Sequence, residues 1–199
     1  MRGRHLRLAL AGSVLVAGIA EAAPPHISVA ARIYNTARVP SDLAAAARAV
    51  AARTLGVTHI DIAWRNCDAA DECGQVPPRG ELIIRLVRSS DAIGKAAALV
   101  LGEASVDTGA GAGVLATIYV DRVELMAGLS DADAASLLGR AIAHEVGHLL
   151  LATRTHSSSG LMRAQWTRNE IRANQTADWA LTKADAAAIR RRAAHGIEP

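Results

Sequence analysis

Two histidines and a glutamate stand together in the stretch His144-Glu145-Val146-Gly147-His148. Residues four apart on a helix share one face about one turn from each other, so imidazoles at 144 and 148 can hold a single metal ion. A carboxylate directly after the first histidine lies beside that ion, where it can take a proton from water. Hydrolytic zinc is the chemistry this pattern serves. An amphipathic helix with two hydrogen-bonded histidines would carry the same letters, so the reading depends on a third ligand.

A catalytic zinc takes three protein ligands and keeps a fourth position open. His156, eight residues beyond His148, is the first candidate, and the seven residues between suffice to turn the chain back beneath the metal. Gly160 would permit a tight turn that sets Met162 under the site, although a methionine alone also reads as ordinary core. A carboxylate is the alternative third ligand: Glu170 or Asp178, each of which reads equally as a solvated surface residue.

With those residues in place, HEVGHLLLATRTHSSSGLMRAQW resembles the metzincin clan of zinc metallopeptidases, which join an H-E-x-x-H helix to a third histidine and a methionine turn. It is similar in particular to a group of exported bacterial proteins whose third histidine follows the second by eight residues. The specific likeness covers residues 140–166, and elsewhere only the order of elements matches. The usual metzincin spacing would place a glycine at 151 and a ligand at 154, where this chain has Leu151 and Arg154. Arginine does not bind zinc, so the segment reads as a two-residue lengthening that moves the ligand to His156. No glycine lies between His148 and His156, so the sharp turn must come from Ala152, Thr153 or their neighbours. No tyrosine follows Met162 closely to donate to a reacting oxygen.

The resemblance implies an α+β fold, a small mixed twisted sheet of four to five strands with a long zinc-binding helix and a C-terminal helix. It also implies one catalytic Zn2+ held by His144, His148 and His156, with Glu145 as general base and a peptide or protein as substrate. The activity expected is that of a secreted zinc-dependent metallopeptidase, an endopeptidase in type. By the same analogy, an extended peptide would add to a sheet edge near residues 97–106. A non-catalytic zinc-stabilised binding domain is the alternative, and a metal-free protein with a chance motif is a third reading. An intact Glu145 argues against the binding domain, because a structural site needs no base beside a ligand.

Composition narrows the setting. Arg2, Arg4 and Arg7 precede an uncharged apolar run from Leu8 to Ala20, and Ala20-Glu21-Ala22 offers small residues at the two positions a signal peptidase reads. Residues 1–22 are therefore expected to be a cleaved signal peptide, with one domain over 23–199 and a secreted or periplasmic location. Losing three arginines and Glu21 lowers the formal net charge from +3 to +1. With three Trp, two Tyr and no Phe there is no stacking platform, so no nucleic-acid partner is expected. Nor is a membrane span after signal removal, and the chain is expected to be a monomer. Cys67 and Cys73 are the only cysteines and would form one disulfide outside the cytosol. Abundant alanine and arginine with little lysine suit a bacterium, so the sequon Asn174-Gln175-Thr176 is discounted.

The elements that must position the site follow from hydrophobic spacing. Val29 to Tyr34 reads as a strand, and Ser41 as the N-cap of a helix that Gly56 ends. Ile60, Ile62 and Trp64 alternate with polar neighbours as a half-buried strand. Glu81 to Val87 reads as a strand covered on both faces, 97–106 as a weaker one interrupted by Gly102, and 115–123 as another. Ser130-x-x-Asp133 is expected to cap the zinc helix, and Thr182-x-x-Asp185 the last helix. Gly147 inside the zinc helix costs about 1 kcal/mol relative to alanine, which implies that another segment packs against the backbone there. Residues 153–180 show no clear period.

Overall fold

A computed structural model describes residues 26–67, 73–74, 76–78, 80–89, 100–109 and 111–194. The expected signal peptide, residues 97–99 of the weak strand and Gly196 lie outside the described residues.

The chain runs β1 (Ile27–Asn35), α1 (Ser41–Gly56), β2 (Ile60–Asn66), β3 (Leu82–Val87), β4 (Gly102–Asp107), β5 (Ala112–Tyr119), α2 (Val120–Ser130), α3 (Ala134–Leu151), α4 (Arg168–Ala173), a 3-10 turn (Thr176–Trp179) and α5 (Lys183–Ala194). The five strands form one mixed sheet in the order β2-β1-β3-β5-β4, as the α+β expectation required. β1, β2, β3 and β5 are parallel to their neighbours, and β4 runs antiparallel to β5 along one edge. Among the described residues no helix is long and apolar enough to cross a membrane.

One face of the sheet carries the core. Val29, Ala31 and Ile33 of β1, Leu82, Ile84 and Leu86 of β3, and Ala116 and Ile118 of β5 are buried on it. The period-2 alternation of strands places them there together, and α1 and α3 cover them. Ala44, Ala47, Ala51 and Leu55 form the buried stripe of α1. Small residues let the two helices approach closely: a Cβ on Gly139 would stand 2.5 Å from the carbonyl oxygen of Ala47.

On the opposite face, Arg32 is buried with Glu81, its Nε donating to Oε2 at 2.8 Å. Its Nη1 donates to the carbonyl of Cys73, in the loop that the Cys67–Cys73 disulfide closes. Coverage of that face is otherwise partial. In β3, Ile83 and Val87 are half-buried and Arg85 is exposed, so the strand is not covered on both faces as expected.

The structure corrects several boundaries. Ser41 begins α1 and Pro40 occupies the N-cap, with no side-chain bond. Gly102 opens β4 instead of interrupting it. The expected strand 115–123 ends at Tyr119, and Val120 starts α2, whose buried residues Val120, Val123, Ala127 and Ser130 recur at helical spacing. Ser130 therefore closes α2, and Asp133 is itself the N-cap of α3, accepting from the Ser136 amide at 2.7 Å. Thr182 caps α5 as expected, its hydroxyl accepting from the Asp185 amide at 3.1 Å and donating to the Asp185 carboxylate at 2.7 Å.

Candidate metal centre

Helix α3 carries His144, Glu145 and His148, and all three are buried. His144 and His148 each aim Nδ1 at a backbone carbonyl supplied by the chain after the helix. His144 pairs with Leu161 O at 2.8 Å and His148 with Thr153 O at 2.9 Å. Donation from Nδ1–H fixes the tautomer and leaves each Nε2 as a lone pair.

Those lone pairs converge. His148 Nε2 lies 3.1 Å from His144 Nε2 and 3.3 Å from His156 Nε2. One nitrogen from each ring falls within 4.8 Å of the others, the one group of this kind among the described residues. Burial lowers His144 from 6.5 to about 4 and lowers His148 as well, so both rings are neutral near pH 7. Neutral rings whose Nδ1–H bonds are already spent have no proton to place between their Nε2 atoms. Two nitrogens each about 2.0–2.1 Å from a tetrahedral zinc would stand about 3.3–3.4 Å apart. The spacing and donor set fit such a cation.

Bringing His156 back requires a turn without glycine. Ala152 supplies it from the left-handed region at φ 48°, and the Thr153 amide returns to His148 O at 3.2 Å. For a residue with a Cβ that conformation costs roughly 1–2 kcal/mol. Arg154, at the position where the usual spacing would put a ligand, turns away, and its Nε and Nη2 donate to Val106 O at 3.2 and 2.9 Å. His156 itself is exposed. Beyond it, Ser157 is held twice: its amide donates to Met162 O at 2.9 Å, and its hydroxyl donates to the Asp185 carboxylate of α5.

Met162 is buried where the Gly147 reading required a close segment. A Cβ on Gly147 would stand 2.6 Å from Met162 Sδ. Gly160, at φ 73°, makes the turn before it. Since Leu161 of the same turn supplies the carbonyl to His144, this segment both supports the helix and orients a ring.

Glu145 lies against the sheet edge. A Cβ on Gly102 would stand 2.8 Å from Glu145 Cγ, so only glycine leaves room for this carboxylate. Burial raises Glu145 from 4.5 to about 8, and the charge of Glu103 adds to the shift.

The carboxylates offered as alternative third ligands are elsewhere. Glu170 accepts from Arg163 and from Thr167 in the capping box of α4, bonds that lower it to about 2. Asp178 lies in the 3-10 turn, and neither belongs to the histidine group. Sequence reasoning missed the wall beside the rings. Trp166 meets His144 edge-on at 5.5 Å, Trp179 meets Trp166 at 5.1 Å, and the Arg140 guanidinium lies 4.0 Å over Trp179. Both tryptophans fall in the stretch with no readable period, so only their type hinted at it.

Among solved structures, archaemetzincin from Methanopyrus kandleri matches with a TM-score of 0.52 at 13% identity, over 85% of this chain and 96% of that one. The fold resembles that of archaemetzincin. Metalloproteinase-II from Bacteroides fragilis matches with a TM-score of 0.52 at 14% identity, over 87% of this chain and 55% of that one. This chain thus spans about half the length of that second protein. No family model matches the sequence, and no curated protein does.

Proposed function

We propose that this chain is an exported zinc metallopeptidase in which His144, His148 and His156 hold one catalytic zinc and Glu145 is the general base. The observation that carries this reading is the convergence of three ring nitrogens, two of them oriented by carbonyls from the segment that follows the helix. The fold likeness to archaemetzincin and metalloproteinase-II supports it. Zinc bound there would acidify a water and polarise the scissile carbonyl.

The protein's own groups supply the rest. Glu145, confined between α3 and Gly102, takes the proton of the attacking water and returns it to the leaving amine. A carboxyl raised by burial holds a proton near neutrality, which suits the return step, and a nearby cation would draw the same group back toward ionisation. Met162 lies under the helix as a methionine turn, packed on Gly147. β4 is the antiparallel edge strand among the described residues, and an extended peptide would add to it by main-chain pairing. Export is supported by the charge and apolar pattern of residues 1–22 and by the Cys67–Cys73 disulfide, and residues 23–199 then form one domain.

The test is metal content together with cleavage of a broad peptide library, run on wild type and Glu145→Gln. Both should carry one zinc per chain, while cleavage by the variant falls about 10²–10⁴-fold. His156→Ala should lose the metal and Glu170→Ala should keep it. Zinc-loaded wild type that cuts nothing would end the peptidase reading in favour of the zinc-stabilised binding domain.

A further inference from the structure

Among the described residues no strand pairs with the outer edge of β4, and an arginine lies at each end of it. Tyr119 N donates to Leu101 O at 2.9 Å, so Leu101 faces β5. In an antiparallel ladder alternate residues face the partner strand. Glu103 and Ser105 therefore face β5 too, and Gly102 and Ala104, the first buried and the second half-buried, direct their amides and carbonyls away from β5. On either side of them, Val100 O accepts from Arg122 Nη1 at 3.0 Å, and Val106 O accepts from Arg154. The carbonyls that would extend pairing are already taken. A peptide on this edge has a window of about five residues, at roughly 3.3 Å per residue, with Gly102 and Ala104 at its centre and an arginine at each end.

The two arginines are not equivalent. Arg122 also donates to Ser89 and lies 4.3 Å over the Tyr119 ring. Arg154 is exposed, stands two residues before His156, and has no ion-pair partner among the described residues. Its acceptor among the described residues is the neutral carbonyl of Val106, which uses Nε–H and one Nη2–H. Of the five N–H donors on a guanidinium, three have no partner among the described residues, and they are set in the planar fork that matches a carboxylate.

We propose that Arg154 is a carboxylate-binding subsite at the end of the β4 edge, taking either an acidic side chain or the C-terminal carboxylate of a peptide paired along β4. This rests on the peptidase reading for its biological meaning, but the geometry predicts selective binding without turnover. Zinc-loaded Glu145→Gln protein provides the test. Alanine-based hexapeptides carrying Glu or Gln at each position in turn, and ending in a free acid or an amide, are equilibrated with it, and bound-to-free ratios are read by mass spectrometry.

One arm, Glu at a single position or the free acid, should be enriched roughly tenfold over its amide counterpart, as a charge-assisted bidentate contact implies. The ratio should fall to about one in Arg154→Gln and only part of the way in Arg154→Lys, which keeps the charge but not the planar fork. Which arm responds identifies the source of the carboxylate. Equal enrichment in all arms, no binding in any, or a preference that survives Arg154→Gln overturns the proposal. Wild-type cleavage of the same peptides without acid selection would leave the peptidase reading standing and remove Arg154 from it.

Discussion

Glu145 is the residue whose surroundings say most about its chemistry. Its pKa in the folded protein, about 8, lies above its ordinary 4.5, so the folded state binds that proton more tightly than the unfolded chain does. The stability it contributes is therefore complete below pH 4.5 and is lost as pH rises through about 8. His144, lowered to about 4, acts in the opposite sense, but only below 6.5. Between pH 6.5 and 8 the slope belongs to Glu145. The urea midpoint of metal-free wild type should fall across that window, and that of Glu145→Gln should stay nearly level. A level wild-type midpoint would mean that the carboxyl is already ionised at pH 6.5. The pairing of His144, Glu145 and His148 was legible from spacing alone, because a helix dictates which residues share a face. The carbonyls of Leu161 and Thr153 that orient the rings were not, because backbone acceptors carry no sequence signature.

At the scale of elements, the packing of Met162 on Gly147 ties α3 to the turn that follows His156. Gly147→Ala should gain about 1 kcal/mol of helix propensity and lose about 1–3 kcal/mol to overpacking against the buried sulfur. Met162→Ala should cost about 2–5 kcal/mol through the cavity it opens. Together they should fall short of the sum by about 1 kcal/mol or more, since the new methyl enters the space the methionine vacates. Urea unfolding of the zinc-loaded single and double variants measures this, and strict additivity would show that the two groups do not meet.

The element errors in the sequence reading have a similar origin. Leu115 to Val123 is short and apolar, a length at which alternation and helical spacing cannot be told apart, so the start of α2 was read as strand. Ser130 and Asp133 are both good N-caps three residues apart, and only the end of α2 decides that Asp133 serves. The need for a turn at Ala152 was legible because no glycine was available, and its left-handed conformation meets that need.

For the whole molecule, the proposed ligands join α3 to the chain that leaves it, so zinc should stabilise the fold and not merely equip it. At a free concentration one hundred times its dissociation constant, zinc would add about 2.7 kcal/mol, which corresponds to roughly 5–11 °C in Tm for a chain of this size. Calorimetry with and without a chelator should show that difference in wild type and little of it in His156→Ala. An equal Tm in both states would mean that the histidines hold no metal that matters to folding.

Local rules settled what depends on neighbours along the chain. These were the helix bearing His144, Glu145 and His148, the cap at Thr182, the alternation of β2, and the cysteine pair close enough to join. Arg154, standing where the metzincin spacing expects a ligand, moved the third-ligand candidate to His156. Tertiary structure decided what depends on residues far apart in sequence. It set Gly102 against Glu145, Asp185 against Ser157, Arg154 on Val106 and Trp166 beside His144. Periodicity assigns a side chain to a face, but the residue it meets there is chosen by how helix and sheet pack, and no local spacing encodes that.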